Sequence, residues 1–225
     1  MQSQSLPAAT IAVVFLLTTC CQSDASSELL TSPDSLIGAP RIDFEGYSHY
    51  TLGNTLYLPQ GIEFSRDDGQ GVLLYEWPEP RITSSPRNVL ATVSGPGAPI
   101  YVSSLNILSS SPLRALGFYF GNDQGDPDFT RFKLSAFAIG GELVAAYQVD
   151  ANNNTNVDQF VGIRSDVPFT RVRLDNLNSA GNPTQDFSVV IDDLMYSRVP
   201  EPSSLAMCVL LVGWPCRRAA RRRSR

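Results

Sequence analysis

Thr170-Arg171-Val172-Arg173-Leu174-Asp175-Asn176-Leu177 reads TRVRLDNL. Val172 and Leu174 alternate with Arg171, Arg173 and Asp175, so extended backbone here has one oily face and one wet face. The same texture continues on both sides. C-terminal to it runs the apolar-rich stretch from Phe187 to Tyr196. N-terminal to it lie Phe160 to Ile163, Leu143 to Val149, Arg131 to Phe137 and Leu116 to Phe120. Earlier still come Gly71 to Tyr75, Gly61 to Phe64, and the pair Ile42 and Phe44. Turn-forming clusters separate these runs: Arg66-Asp67-Asp68-Gly69, Gly121 to Pro127, Gly140-Gly141 and Asn178 to Pro183. No segment of the body carries helical periodicity over two turns. Many short alternating runs between turns predict an all-β fold, an antiparallel β-sandwich over residues 41–198.

Composition agrees with a folded domain: 43% of the 225 residues are hydrophobic and 17% charged. The charge is unevenly placed. From Glu28 to Arg198 there are 20 Asp+Glu against 11 Lys+Arg, a balance of −9 (11 − 20). Lys133 is the only lysine. Such a body lacks the clustered cations that phosphate backbones require, which excludes nucleic acid as a partner. The cysteines are Cys20, Cys21, Cys208 and Cys216. The body therefore has no disulfide framework and no thiol metal site, and its stability must come from its core.

The two ends differ from the body. Ala8 to Leu17 is an apolar run of signal-peptide length, and Ala25-Ser26-Ser27 offers small residues for cleavage before Glu28. Residues 1–27 are read as a signal peptide and 28–40 as a flexible leader. At the other end stands Val199-Pro200-Glu201-Pro202, stiffened by two prolines and biased toward extended backbone. Twelve apolar residues follow, Leu205 to Cys216. Then come Arg217, Arg218, Arg221, Arg222, Arg223 and Arg225, a cluster that holds to the cytoplasmic side of a membrane.

In this order, VPEPSSL, apolar run and arginine cluster, residues 199–225 resemble the PEP-CTERM sorting signal of bacterial surface proteins. The resemblance implies export to the cell surface or beyond. It also implies recognition of Pro200, Glu201 and Pro202 by an exosortase-type membrane transpeptidase. Twelve residues span about 18 Å as a helix, against a hydrocarbon core of about 30 Å, so the expected membrane contact is transient. The pieces LRALGFYFGND, KLSAFAIGGELV, DQFVGIRSDVPFTRVRL and FSVVIDDLMY resemble the carbohydrate-binding-like jelly-roll domains found upstream of such tails. That resemblance implies a non-catalytic protein binding exopolysaccharide. A purely adhesive surface protein without a small ligand, and a secreted glycoside hydrolase, are the rival readings.

Residues that could carry chemistry are few. His49 is the only histidine, and neither Gly-x-Ser-x-Gly nor His-Glu-x-x-His occurs. The body is therefore read as non-enzymatic, with carboxylate-pair hydrolysis as the one chemistry left open. Calcium is the candidate ion, because it takes six to eight hard oxygens. Asp150, Asn152, Asn154, Asn156 and Asp158 place side-chain oxygens at alternate positions of one loop. A second set joins the ends of the domain: Asp43 and Glu45 in the opening strand with Asp192 or Asp193 in the closing one. The jelly-roll resemblance implies that these strands pair and hold a structural calcium. Adjacent residues of a regular strand face opposite sides, and Asp193 is preferred to Asp192. For a sugar ring the candidate platform is Trp77, with Tyr47, Tyr50, Tyr57 and Tyr101 as further aromatics.

Overall fold

The computed structural model describes residues 26–76, 83–92, 104–121, 131–152, 154, 156–184 and 188–200. The signal-peptide region up to residue 25, Trp77, Tyr101, and everything from Glu201 onward lie outside the described residues. Ten strands are defined: β1 Ser27–Leu30, β2 Arg41–Ile42, β3 Ile62–Arg66, β4 Leu73–Glu76 and β5 Asn88–Ala91 in the first half. In the second half are β6 Leu105–Gly121, β7 Arg131–Phe137, β8 Leu143–Asp150, β9 Gln159–Leu177 and β10 Val190–Arg198. Every pairing between them is antiparallel. Among the described residues the only helical pieces are two single turns of 3-10 helix, Pro33–Leu36 and Leu58–Gln60. The fold is the expected all-β, antiparallel, jelly-roll-like sandwich, and its sheet does not close on itself.

Two strands make it a sandwich. β6 has 17 residues and β9 has 19, and each serves both layers. Leu105 to Leu108 of β6 pair with Leu174 to Arg171 of β9, with β3 on the other side of β6 and β7, then β8, beyond β9. Ala115 to Phe120 pair with Arg164 to Gln159, with β1 beyond β9 and β10 beyond β6. The register breaks between Leu108 and Ala115: Ser109-Ser110-Ser111-Pro112 of β6 stands opposite Thr170, and Ser165-Asp166-Val167-Pro168 of β9 stands opposite Arg114. A proline has no N–H for the ladder, so both strands turn their corner where pairing is already interrupted. Phe160 to Ile163 and Thr170 to Leu174, two strands in the sequence reading, are thus halves of one strand. The polar residues between them are its exposed bend.

Both layers close on one core. Phe64, Phe118, Phe132 and Phe169 have no exposed surface, and Phe44 packs edge-on against Tyr57 and Phe64 at centroid distances of 5.6 and 5.8 Å. Arg171 and Arg173 lie outside Val172 and Leu174, as their alternation demands.

Residues 28–40 are not a leader. Ser27 to Leu30 pair with Ser165 to Gly162 of β9, and Ser32 caps the following turn through Asp34 N–H. Leu30 and Leu36 are buried against Ala115 and Phe160. The physical reason is a gap on the outer sheet face. Gly117 and Gly162 are paired across β6 and β9, and a Cβ on Gly117 would meet Phe160 at 2.6 Å and Leu36 at 3.2 Å. Phe160 therefore lies flat over this glycine pair, and the N-terminal segment covers it.

Candidate functional site

One edge of β10 is shared by two short strands. β5 pairs with Val190 and Ile191, and β2 pairs with Leu194 and Met195. Asp192 and Asp193 fall in the interval between those partners, and there the register with β6 also shifts. Asp193 has φ +51, and across the interval Phe44 has φ +60. Left-handed backbone is costly for residues with a Cβ and marks positions where the surroundings impose it. The bulge separates the two acids. Asp193 meets the Arg41 guanidinium at 2.5 Å, while Asp192, with no exposed surface, accepts from Ser84 Oγ, Ser85 Oγ, Ser85 N–H and its neighbour's N–H.

The segment from Asp43 to Asn88 completes this junction. Glu45 Oε1 accepts from the N–H groups of Arg87 and Asn88, each at 2.8 Å. Asp43 uses its carboxylate to hold Glu45 N–H at 3.1 Å and turns its carbonyl inward. Ser85 Oγ sits at the centre. Around it are Asp192 Oδ1 at 2.8 Å, the Asp43 carbonyl at 3.1 Å, Glu45 Oε1 at 3.2 Å and the Asn88 carbonyl at 3.4 Å. A hydroxyl has one proton to donate, so most of these oxygens face one another with no proton between. Burial first, then the Asp193 charge, push the Asp192 carboxyl up to about 6, against the opposing hydrogen bonds from Ser85 and Ser84. Nearby, the buried Tyr57 hydroxyl has no hydrogen-bond partner among the described residues. Its pKa is raised by burial, then by Tyr47, Asp43 and Glu45.

Does this donor set fit a calcium ion? Among the described residues no three His, Cys, Asp or Glu side chains are arranged to hold a metal. The junction instead offers two carboxylates, Glu45 and Asp192, two carbonyls and a hydroxyl. These are hard oxygens of the kind calcium takes. The crowding of four oxygens around one hydroxyl is the structural feature that a cation would relieve. The junction thus includes Asp43 and Glu45 but takes Asp192 in place of Asp193. A regular strand would have left the choice open, and the bulge makes it. Ser84, Ser85 and Asn88 carried no sequence signal, because nothing in Ser-Ser-Pro shows which strand it will face.

The other loop is self-contained. Asp158 accepts from the side-chain amides of Asn152 and Asn154, and Asn152 and Asn154 oxygens accept backbone N–H groups within the loop. These are Asx-type turns, and Asp150 pairs with Arg131 at 3.3 Å.

A ring surface borders the same junction. Residues Tyr50 to Gly53 run beside β4, with Tyr50 N–H donating to Leu74 and Gly53 N–H to Val72. His49 Nδ1 accepts from Glu76 N–H at 2.8 Å, which fixes the imidazole. His49 lies 3.8 Å from the Tyr50 ring and 4.8 Å from the Tyr75 ring, centroid to centroid. Tyr50 is held at φ +63, a second forced backbone conformation. His49 and Tyr47 are exposed, and Tyr50 and Tyr75 are half-buried. Tyr75 precedes Trp77 by two positions. Tyr57, a platform candidate by sequence, is buried in the core.

No family model matches the chain, and no curated protein matches it. Solved structures of similar architecture do exist. The K2 cleaved adhesin domain of Lys-gingipain covers 70% of this chain and 98% of its own, at 15% identity and TM-score 0.44. A DUF4465 family protein from Bacteroides caccae covers 76% and 100%, at 11% identity and TM-score 0.37. TmCBM61, solved with beta-1,4-galactotriose, covers 68% and 100%, at 13% identity and TM-score 0.34. At these identities the likeness is one of fold.

Proposed function

We propose that this chain is a non-catalytic, exported surface protein that binds polysaccharide, with a calcium ion locking the residues around Asp43, Glu45 and Ser85 to the bulge of its closing strand. The observation that carries the reading is the fixed ring surface of His49, Tyr50 and Tyr75 along β4. Rings held by neighbouring hydrogen bonds present apolar faces at little ordering cost. A hydrolase would need its acid pair open to a sugar, but Glu45 and Asp192 converge where Asp192 has no exposed surface.

Export and sorting are part of the same proposal. The tripartite tail supports it, and Val199, just before Pro200 among the described residues, is tied to the fold through the Pro112 carbonyl at 2.9 Å. The sorting residues Glu201 and Pro202 follow within three positions. Binding is tested by pull-down of the purified protein on insoluble polysaccharides, with Tyr50→Ala and Tyr75→Ala beside it. Retention should fall at least tenfold in either variant on the glycan that binds, since each ring removed forfeits about 1 kcal/mol or more of contact. Equal retention of both variants would remove the ring surface as the binding site.

A further inference from the structure

A second face of the molecule carries a charge pattern at odds with the rest. Beyond β5 and β10, where the 3-10 turn and residues 37–40 cross the outer face of β10, β6 and β9, lies a half-open groove of about 360 Å³. Arg198, Arg114 and Arg164 line it from those three neighbouring strands. Ile37, 81% exposed, forms an apolar wall.

The body has 20 acids for 11 bases, yet Arg114, Lys133, Arg171 and Arg198 form no ion pair among the described residues. Arg41, Arg66, Arg87, Arg131 and Arg173 are each ion-paired within 3.3 Å. In the groove only Arg164 is, with Glu28 at 2.5 Å. Arg114 has no hydrogen bond or ion pair among the described residues, and its charge is felt only at Asp166. Arg198 lies 5.3 Å from the Tyr196 ring and donates to the Gln60 carbonyl, with no carboxylate partner among the described residues. Arg114 thus lines the groove with unused donors, while the Arg198 guanidinium is turned to the Gln60 carbonyl and the Tyr196 ring. Guanidinium forks match planar oxyanions, and an apolar wall beside them suits a sugar ring.

We infer that this groove binds the carboxylate of a uronic acid residue in an acidic polysaccharide. Arg114 makes the direct contact beside Ile37, and Arg164 is held in place by Glu28 and the Ser35 carbonyl. The inference rests on the polysaccharide reading above and names its charge class.

The probes are polygalacturonate, the same polymer with its carboxyls reduced to alcohols, and inorganic phosphate, each titrated into the full chain. Polygalacturonate should bind, and Arg114→Gln should weaken it about tenfold, the loss expected for one charge-assisted contact. Arg114→Lys should recover part of that loss. The reduced polymer should bind no better to the native protein than to Arg114→Gln. Melting temperature should be the same for Arg114→Gln and the native protein, because Arg114 bonds to nothing in the fold. Equal polygalacturonate affinity for native and Arg114→Gln protein would overturn the inference, while Tyr50→Ala still tests sugar binding separately. Competition by phosphate at equal anion concentration would also overturn it, by making the groove a general anion site.

Discussion

Asp192 has no exposed surface and stands beside Asp193, so its charge is opposed by burial and by a neighbour. With the carboxyl at about 6 in the fold against its ordinary 3.8, the folded protein holds a proton that the unfolded chain lacks between those pH values. The stability from this group is complete below pH 3.8 and is lost as pH rises through 6. The shift corresponds to roughly 3 kcal/mol at ~1.4 kcal/mol per unit. In chelator, the melting temperature of the native protein should fall relative to Asp192→Asn between pH 4 and 7. Calcium should reverse the effect at pH 7, by about 2.7 kcal/mol at a hundredfold excess over its dissociation constant. Identical melts in calcium and chelator at pH 7 would remove the ion from the junction. The acids themselves were legible in the sequence as two pairs, Asp43 with Glu45 and Asp192 with Asp193, although the first pair follows β2 and does not lie in a strand. Which of them faced inward was not, because it depends on a bulge, and a bulge depends on β5 and β2 sharing one edge of β10.

At the scale of elements, alternation was enough to find nearly every strand, because each has one face on the core. It could not show that two runs were one strand. Arg164 to Asp166 break the alternation of β9 for a reason that lies outside it: the sheet bends there, and the bend is exposed. Nor could alternation bring in β1, because its partner is the edge of β9 from Gly162 to Ser165, which nothing within Ser27 to Leu30 marks. The paired glycines Gly117 and Gly162 make the next prediction. A Cβ on Gly162 would meet the Leu116 carbonyl oxygen at 2.6 Å and Gly117 Cα at 2.8 Å, both backbone atoms that cannot swing aside. Gly162→Ala should cost about 1–3 kcal/mol as an overpacking change, lowering the melting temperature by several degrees. An unchanged melt would mean that β6 and β9 separate more easily than their ladder implies.

For the molecule as a whole, composition and alternation defined the class more surely than the sites, and they missed the N-terminal boundary, since residues 28–40 belong to the fold. The cysteine-free body from residue 22 to 207 predicts a cooperative melt that reductant does not move, measured by calorimetry with and without dithiothreitol. The tail gives a second expectation. Glu201→Ala should leave unprocessed protein in the membrane fraction of the native host, and mass spectrometry of the wild-type surface protein should find Arg225 removed. A surface protein that keeps Arg225 would sink the sorting proposal. The ring surface and the arginine groove were invisible at this scale, since each is assembled from residues more than 20 positions apart in sequence. His49 needs Tyr75, and Arg114 needs Ile37.

The chain leaves the fold through β10, and β10 is an interior strand. It is bonded to β6 along one side and to β5 and β2 along the other. Tension applied beyond Val199 therefore runs along the strand axis, across hydrogen bonds that lie perpendicular to it. Those bonds are loaded together, in shear, and cannot be peeled one after another as they would be at a sheet edge. A cation at the Asp192 bulge would pin this strand to the residues around Asp43 at the same point. A protein moored by its C-terminus would then hold against drag from the strand it is moored by, and would be expected to yield first somewhere else, at edge strands such as β4 or β8.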